Sequence, residues 1–197
     1  VSAFLLNRSS DLIDLPYHQA RMERTIRHFF PNLALRSMPC LEKLIAASDD
    51  MALVKARVVY GADGVELIEY APYSMRTISS LQVVCDDTIS YSYKSCDRSQ
   101  LNALAAKKGD CDEIIIVKNN LVTDTSFTNL AISDCNCWLT PRQPLLLGTK
   151  RASLLDQGLI KEADITAYDL KRAERVRLFN AMIDFGEREV DAKNIKW

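Results

Sequence analysis

The chain has 197 residues, 48% of them hydrophobic and 26% charged, enough to bury a sizeable core as one large domain or two small ones. Those proportions are ordinary for a globular protein and exclude disorder and low complexity. A formal net charge of −1 excludes the basic footprint of a nucleic-acid binder, and no apolar run approaches the ~20 residues that span a bilayer.

The opening VSAFLLNRSSD has a short apolar patch with no basic segment before it and does not read as a signal peptide. DLPYHQARMERTIRHFF (14–30) has helical spacing. Tyr17, Ala20, Ile26 and Phe29 or Phe30 line one face, Pro16 suits the first turn, and Pro31 stops the helix. CLEKLIAAS (40–48) reads as a second, shorter helix. MALVKARVVYG and GVELIEYAP read as two strands about a Gly-Ala-Asp-Gly turn. YAPY (70–73) reads as a linker, with Pro72 breaking the pairing before a new strand, TISSLQVV.

From there SQLNALAAKKG (99–109) is a helix closed by Gly109, and DEIIIVKNN with LVTDTSF is a hairpin turning at Asn119-Asn120. CWLTP reads as a strand, GTKRASLLDQG (148–158) as a helix between two glycines, and TAYDLKRA as a capping box from Thr166 to Asp169. RVRLFNAM and REVDAKNIKW read as closing strands. Strands outnumber helices in mixed order, which predicts an α+β architecture in two parts, a small N-terminal domain over 1–72 and a larger one over 73–197.

Six cysteines (Cys40, Cys85, Cys96, Cys111, Cys135, Cys137) are scattered without a CxxC pair, the pattern of free thiols in a reducing cytoplasm. Cys135 and Cys137 would share a face if their segment were a strand. With only His18 and His28 present, a His-rich metal site and a Ser-His-Asp triad are both disfavoured, and no metal is expected.

Four separated segments, YHQAR (17–21), YKSCDRSQLNAL (93–104), VTDTSFTNL (122–130) and TPRQPLLLGTKR (140–151), together resemble the class IV aminotransferase family. These are pyridoxal-phosphate enzymes of fold type IV, among them branched-chain and D-amino acid aminotransferases and 4-amino-4-deoxychorismate lyase. The resemblance implies a two-domain, D-amino acid aminotransferase-like fold with a shortened N-terminal domain, working as a cytoplasmic homodimer on a small amino-acid-type substrate.

It also implies roles. Lys94 stands where the family places its Schiff-base lysine, in a strand followed by a loop and a helix; such an amine must be neutral enough to attack an aldehyde. Arg98, four residues on as in the lyase branch, would contact the cofactor's ring side or a substrate carboxylate. Asp124 replaces the family glutamate that keeps the pyridine nitrogen protonated, one methylene shorter, acting directly or through a water. Thr125 and Asn129 keep the context of that motif, while Ala131 replaces a usual aromatic. Arg21 of HQAR would hold the phosphate, with His18 packing beside it. Gly148 and Thr149 open a helix whose dipole attracts an anion, and Asn180-Ala181 completes the phosphate cup; Thr149 stands where an aliphatic residue is usual. Tyr73 and Arg76 lie near the expected carboxylate-binding region.

The freed Lys94 amine would act as general base for the Cα proton. Elimination then gives pyruvate and 4-aminobenzoate, the lyase outcome, and reprotonation gives transamination. Lys94-x-x-x-Arg98, the short chain and the lean first domain favour the lyase; an aminotransferase is the alternative. A non-catalytic binder of the cofactor, or a cofactor-free binding module on the same scaffold, also stays open.

Overall fold

The computed structural model describes residues 2–8, 11–36, 38–45, 54–135 and 137–197. By their internal contacts these divide into two compact units, Val1–Met75 with Tyr93–Cys96, and Arg76–Ser92 with Asp97–Trp197.

The first unit runs β1 (Ser2–Arg8), β2 (Asp11–Leu12), α1 (Leu15–Phe29), α2 (Pro31–Arg36), α3 (Leu41–Leu44), β3 (Val54–Gly61) and β4 (Gly64–Pro72). Its sheet has the order β2-β1-β3-β4, antiparallel throughout. Helix α1 forms where Pro16 supplies a preset first turn and Met22 and Ile26 recur one turn apart. Those two side chains, with Leu41, bury themselves against the inward face of β3, Ala56, Val58 and Tyr60, as the period of two requires. Pro31 ends α1 as expected but also starts α2, because a missing N–H is harmless in a first turn. Residues 46–48 of the expected second helix and 51–53 of the expected strand lie outside the described residues.

The second unit runs β5 (Leu81–Cys85), α4 (Ser99–Ala105), β6 (Glu113–Lys118), β7 (Leu121–Val122), β8 (Asn129–Asp134), β9 (Cys137–Pro141), α5 (Thr149–Asp156), β10 (Lys161–Ala163), α6 (Ala167–Arg172), β11 (Arg175–Phe179), β12 (Glu189–Asp191) and β13 (Ile195–Lys196). Two sheets form, β13-β5-β6-β7 and β10-β9-β8-β11-β12. β5 and β6 are parallel, with α4 in the crossover between them. Ile114, Ile115 and Ile116 are all fully buried, which explains why β6 reads as a continuous apolar run. Asn119 and Asn120 take φ of 50° and 63° between β6 and β7, the backbone a tight two-residue hairpin needs.

Three sequence expectations change. Residues 77–80 precede β5 instead of extending it. The chain around Lys94 is irregular and not a strand. At the end of β5 the Asp86 carboxylate accepts the N–H groups of Thr88 (2.8 Å) and Ile89 (2.9 Å) and turns the chain out of the sheet. Cys135 takes φ 50° in the turn after β8, so it and Cys137 do not share a strand face.

Candidate active site

The centre of the second unit's site is the loop that follows β7. Ile116 pairs twice with it, accepting the Thr123 N–H (2.9 Å) and donating its own N–H to the Asp124 carbonyl (2.8 Å). Two residues opposite one is a β-bulge, which re-aims the side chains that follow. Asp124 is thereby carried inward and is 5% exposed. One carboxylate oxygen accepts the Asn129 amide N–H (2.8 Å) and the other the Leu146 backbone N–H (2.8 Å). Burial pushes its carboxyl up from the ordinary 3.8 to about 7, against the opposing pull of the Leu146 and Asn129 donors and the Arg151 charge.

Asn129 also donates to the Leu146 carbonyl (2.9 Å), tying β8 to the chain before α5. Gly148, the N-cap of α5, sits so close that a Cβ there would lie 1.9 Å from the Asn129 Oδ1. Its φ is −71°, so close approach and not backbone freedom calls for glycine here. Thr149 follows, 3% exposed, in a first turn whose N–H groups have no intrahelical acceptor.

Asn180 reaches the same loop from β11, donating its amide to the Phe127 carbonyl (3.1 Å). Its side-chain oxygen accepts the Met182 N–H (2.7 Å), closing a tight turn that places Ala181 next to Asn180. Arg98, just before α4, donates to the Ser126 carbonyl (2.8 Å) and stands 5.7 Å from the centroid of the Tyr91 ring. Thr125 is different: its hydroxyl shares a hydrogen with Thr128 Oγ1 (2.7 Å) and accepts the Thr128 N–H (2.9 Å), organising the loop from within. Asp124, Thr125, Asn129, Arg98, Gly148, Thr149 and the Asn180-Ala181 turn are thus assembled around residues 124–129.

Arg21 and Lys94 belong to the first unit. Arg21 is 8% exposed on α1. Burial raises the nearby Tyr60 hydroxyl's pKa, opposed by a bond with Thr25 and by the charges of Arg21 and Arg24. His18 is fully enclosed, as expected of a packing histidine. Lys94 is half-buried in the irregular segment after Tyr93.

The sequence did not single out Glu113, Leu146 or Arg151. Glu113 is 3% exposed and accepts the Ser126 N–H (3.2 Å), so a buried carboxylate braces the residue whose carbonyl holds Arg98. Leu146 acts through its backbone and has no side-chain signal. Arg151 looks like a helix-surface cation but is 3% exposed, donating to the Pro141 carbonyl (2.8 Å) and to Glu162 (2.7 Å). Among the described residues no group of three His, Cys, Asp or Glu side chains is placed to hold a metal.

A family model for amino-transferase class IV matches residues 5–187. The chain belongs to that family. An uncharacterized protein of Haemophilus influenzae is 39% identical over 168 residues, 84% of this chain and 88% of that one. A crystal structure from Haemophilus somnus described as a "putative 4-amino-4-deoxychorismate lyase" is 35% identical, with TM-score 0.86, over 92% of this chain and 95% of that one. A Mesorhizobium loti "putative amino-acid aminotransferase" is 17% identical, with TM-score 0.77, over 97% and 98% of the two chains. This class IV member therefore has the α+β fold type IV architecture.

Proposed function

We propose that this class IV amino-transferase family member uses pyridoxal phosphate as a lyase of the 4-amino-4-deoxychorismate lyase type, releasing pyruvate and 4-aminobenzoate. The observation that carries the cofactor reading is Asp124, a carboxyl buried to 5% exposure that accepts the Asn129 amide on one oxygen and the Leu146 N–H on the other. A desolvated carboxyl of this kind suits a protonated ring nitrogen. When bound, the cofactor supplies an electron sink for the substrate's Cα electrons.

The chain's own residues do the rest. Asp124 holds the proton on the ring nitrogen. Lys94 would supply the amine that holds the cofactor and would serve as the base for the substrate's Cα proton. Arg21, the first turn of α5 at Gly148-Thr149 and the Asn180-Ala181 turn are the phosphate donors of this reading. Arg98, fixed by the Ser126 carbonyl, presents its guanidinium for a carboxylate. The lyase outcome is supported by Lys94-x-x-x-Arg98 and by the 35% likeness to the Haemophilus somnus protein. We carry the homodimer and the cytoplasmic location as parts of the same proposal; full activity as a monomer at high dilution would refute the first.

Two measurements test the reading. Protein incubated with the cofactor should absorb in the visible, and Lys94→Ala should abolish that band. Pyruvate should then form from 4-amino-4-deoxychorismate without any added 2-oxo acid. Strict dependence on a 2-oxo acid would reassign the enzyme to transamination.

A further inference from the structure

The lysine-bearing segment is a tight turn pinned at both ends. Tyr93–Cys96 belongs by its contacts to the first unit, although the chain on either side belongs to the second. The Ser95 N–H donates to the Tyr93 carbonyl at 2.8 Å, an i to i+2 bond that closes a three-residue γ-turn with Lys94 at its apex. Lys94 is not among the residues with positive φ, which makes this the common, unstrained hand of that turn. An apex residue in so short a turn is placed by its flanks, so what grips the flanks decides where Lys94 starts.

On the N-terminal side the grip is aromatic and comes from one helix. The Tyr93 ring stacks on His28, with centroids 4.8 Å apart and planes 11° from parallel. Phe29 meets the same ring edge-on at 4.8 Å, and the Arg24 guanidinium lies 6.0 Å from its centroid. Arg24 and His28 are four residues apart on α1 and therefore share a face. Offset stacking, an edge contact and a cation over a ring are each favourable arrangements for the aromatic quadrupole. On the C-terminal side Arg57 Nη2 meets the Cys96 sulfur at 3.9 Å, with Arg57 itself held by Glu69 at 2.7 Å.

The cluster is not part of the first unit's core, whose buried members are Met22, Ile26, Leu41, Ile45, Ala56, Val58 and Tyr60. His28 and Phe29 are exposed and Tyr93 is half-buried, so the contacts serve the segment more than the unit's stability. We propose that Tyr93 is a positioning residue for Lys94: its ring, clamped by Arg24, His28 and Phe29 of α1, fixes the γ-turn from whose apex the Lys94 side chain projects. Arg21 lies one turn before Arg24, so the clamp ties the lysine to the helix that carries the proposed phosphate ligand. The inference rests on the reading of Lys94 as the amine that tethers pyridoxal phosphate.

The test separates tethering from binding. Protein mixed with pyridoxal phosphate is reduced with borohydride at timed intervals, and the label at Lys94 is quantified by peptide mass spectrometry. Pyridoxamine phosphate, which has no aldehyde and makes no bond to lysine, measures binding without the tether. Tyr93→Phe keeps every ring contact and should label Lys94 within about twofold of the unaltered rate. Tyr93→Leu should label it at least ~10-fold more slowly, the scale of effect expected when a reacting group is displaced by a fraction of an ångström to an ångström. Its affinity for pyridoxamine phosphate should stay unchanged. His28→Ala, which removes the stacked partner and leaves the turn's own sequence intact, should slow labelling in the same direction. Labelling of Tyr93→Leu at the unaltered rate overturns the proposal. So does an equal loss of pyridoxamine phosphate affinity, which would mean general damage. Absence of label at Lys94 in the unaltered protein overturns the tethering reading itself, and this inference with it.

Discussion

Asp124 makes the stability of the second unit depend on pH in a direction opposite to that of most carboxylates. Its carboxyl titrates near 7 in the folded chain against 3.8 in the unfolded one, because burial penalises the charged form. Between those values the folded state binds more protons than the unfolded state, so stability falls as pH rises. At 1.36 kcal/mol for each unit, the full shift amounts to about 4 kcal/mol, of which about 2 kcal/mol falls between pH 5.5 and 7. Asp124→Asn removes the titration. It also turns an amide donor toward either the Asn129 N–H or the Leu146 N–H, a pH-independent cost of about 1–3 kcal/mol. Urea unfolding of cofactor-free protein, followed by tryptophan fluorescence, is the assay. Trp138 and Trp197 both lie in the second unit and report on the part of the chain that carries Asp124. The unaltered protein should lose stability relative to the variant on going from about pH 5.5 to 8. Subtraction removes the exposed carboxylates shifted the other way, such as Asp86 and Asp169. A difference that is the same at both pH values would refute the reasoning, since it would mean that Asp124 is ionised throughout.

Gly148→Ala should be severe for so small a change. A Cβ placed 1.9 Å from Asn129 Oδ1 must displace the side chain that bonds both Asp124 and Leu146, so the cost should exceed the ~1–3 kcal/mol of ordinary overpacking. An unchanged urea midpoint would show that the site yields freely. Glu113→Ala should lower stability by about 1–3 kcal/mol by leaving the Ser126 N–H without its acceptor, whereas Glu113→Gln should recover most of it. Equal effects of the two would mean that the carboxylate's charge, and not the hydrogen bond, matters.

Much of the fold was legible because local chemistry and tertiary need coincide. Thr166 and Asp169 form both halves of the expected capping box, Asp169 accepting the Thr166 N–H at 2.8 Å and Thr166 accepting that of Asp169 at 3.3 Å. The Asn119-Asn120 turn and the helix over Leu15–Phe29 are of the same kind. What escaped was structure that exists only through distant partners. REVDAKNIKW, read as one closing strand, is two short ones, β12 and the two-residue β13 that pairs Ile195 with Leu81, and nothing local announces the break between them or that pairing. β8 has its first four residues buried, Asn129 included, and a buried polar residue at a strand's start reads as a loop.

The site divides in the same way. Asp124, Asn129 and Gly148 were legible as residue types in a spaced motif, and the structure adds the bulge at Ile116 that carries the shorter acid inward. Glu113 was not legible, and its neighbour shows why. Asp112 and Glu113 are adjacent acids before an apolar run and look like one solvated pair. Yet Asp112 is exposed and accepts the N–H groups of Ser79 (2.8 Å) and Ser80 (3.0 Å), while Glu113 is 3% exposed and braces Ser126. Asp112 lies in the bend before β6, whereas Glu113 is the strand's first residue and is buried like the four that follow it, so the start of the strand leaves one acid at the surface and takes the other under the loop that holds Arg98. Composition cannot separate the two; only the pairing of Glu113 with Leu81 across β5 and β6 fixes which acid turns inward.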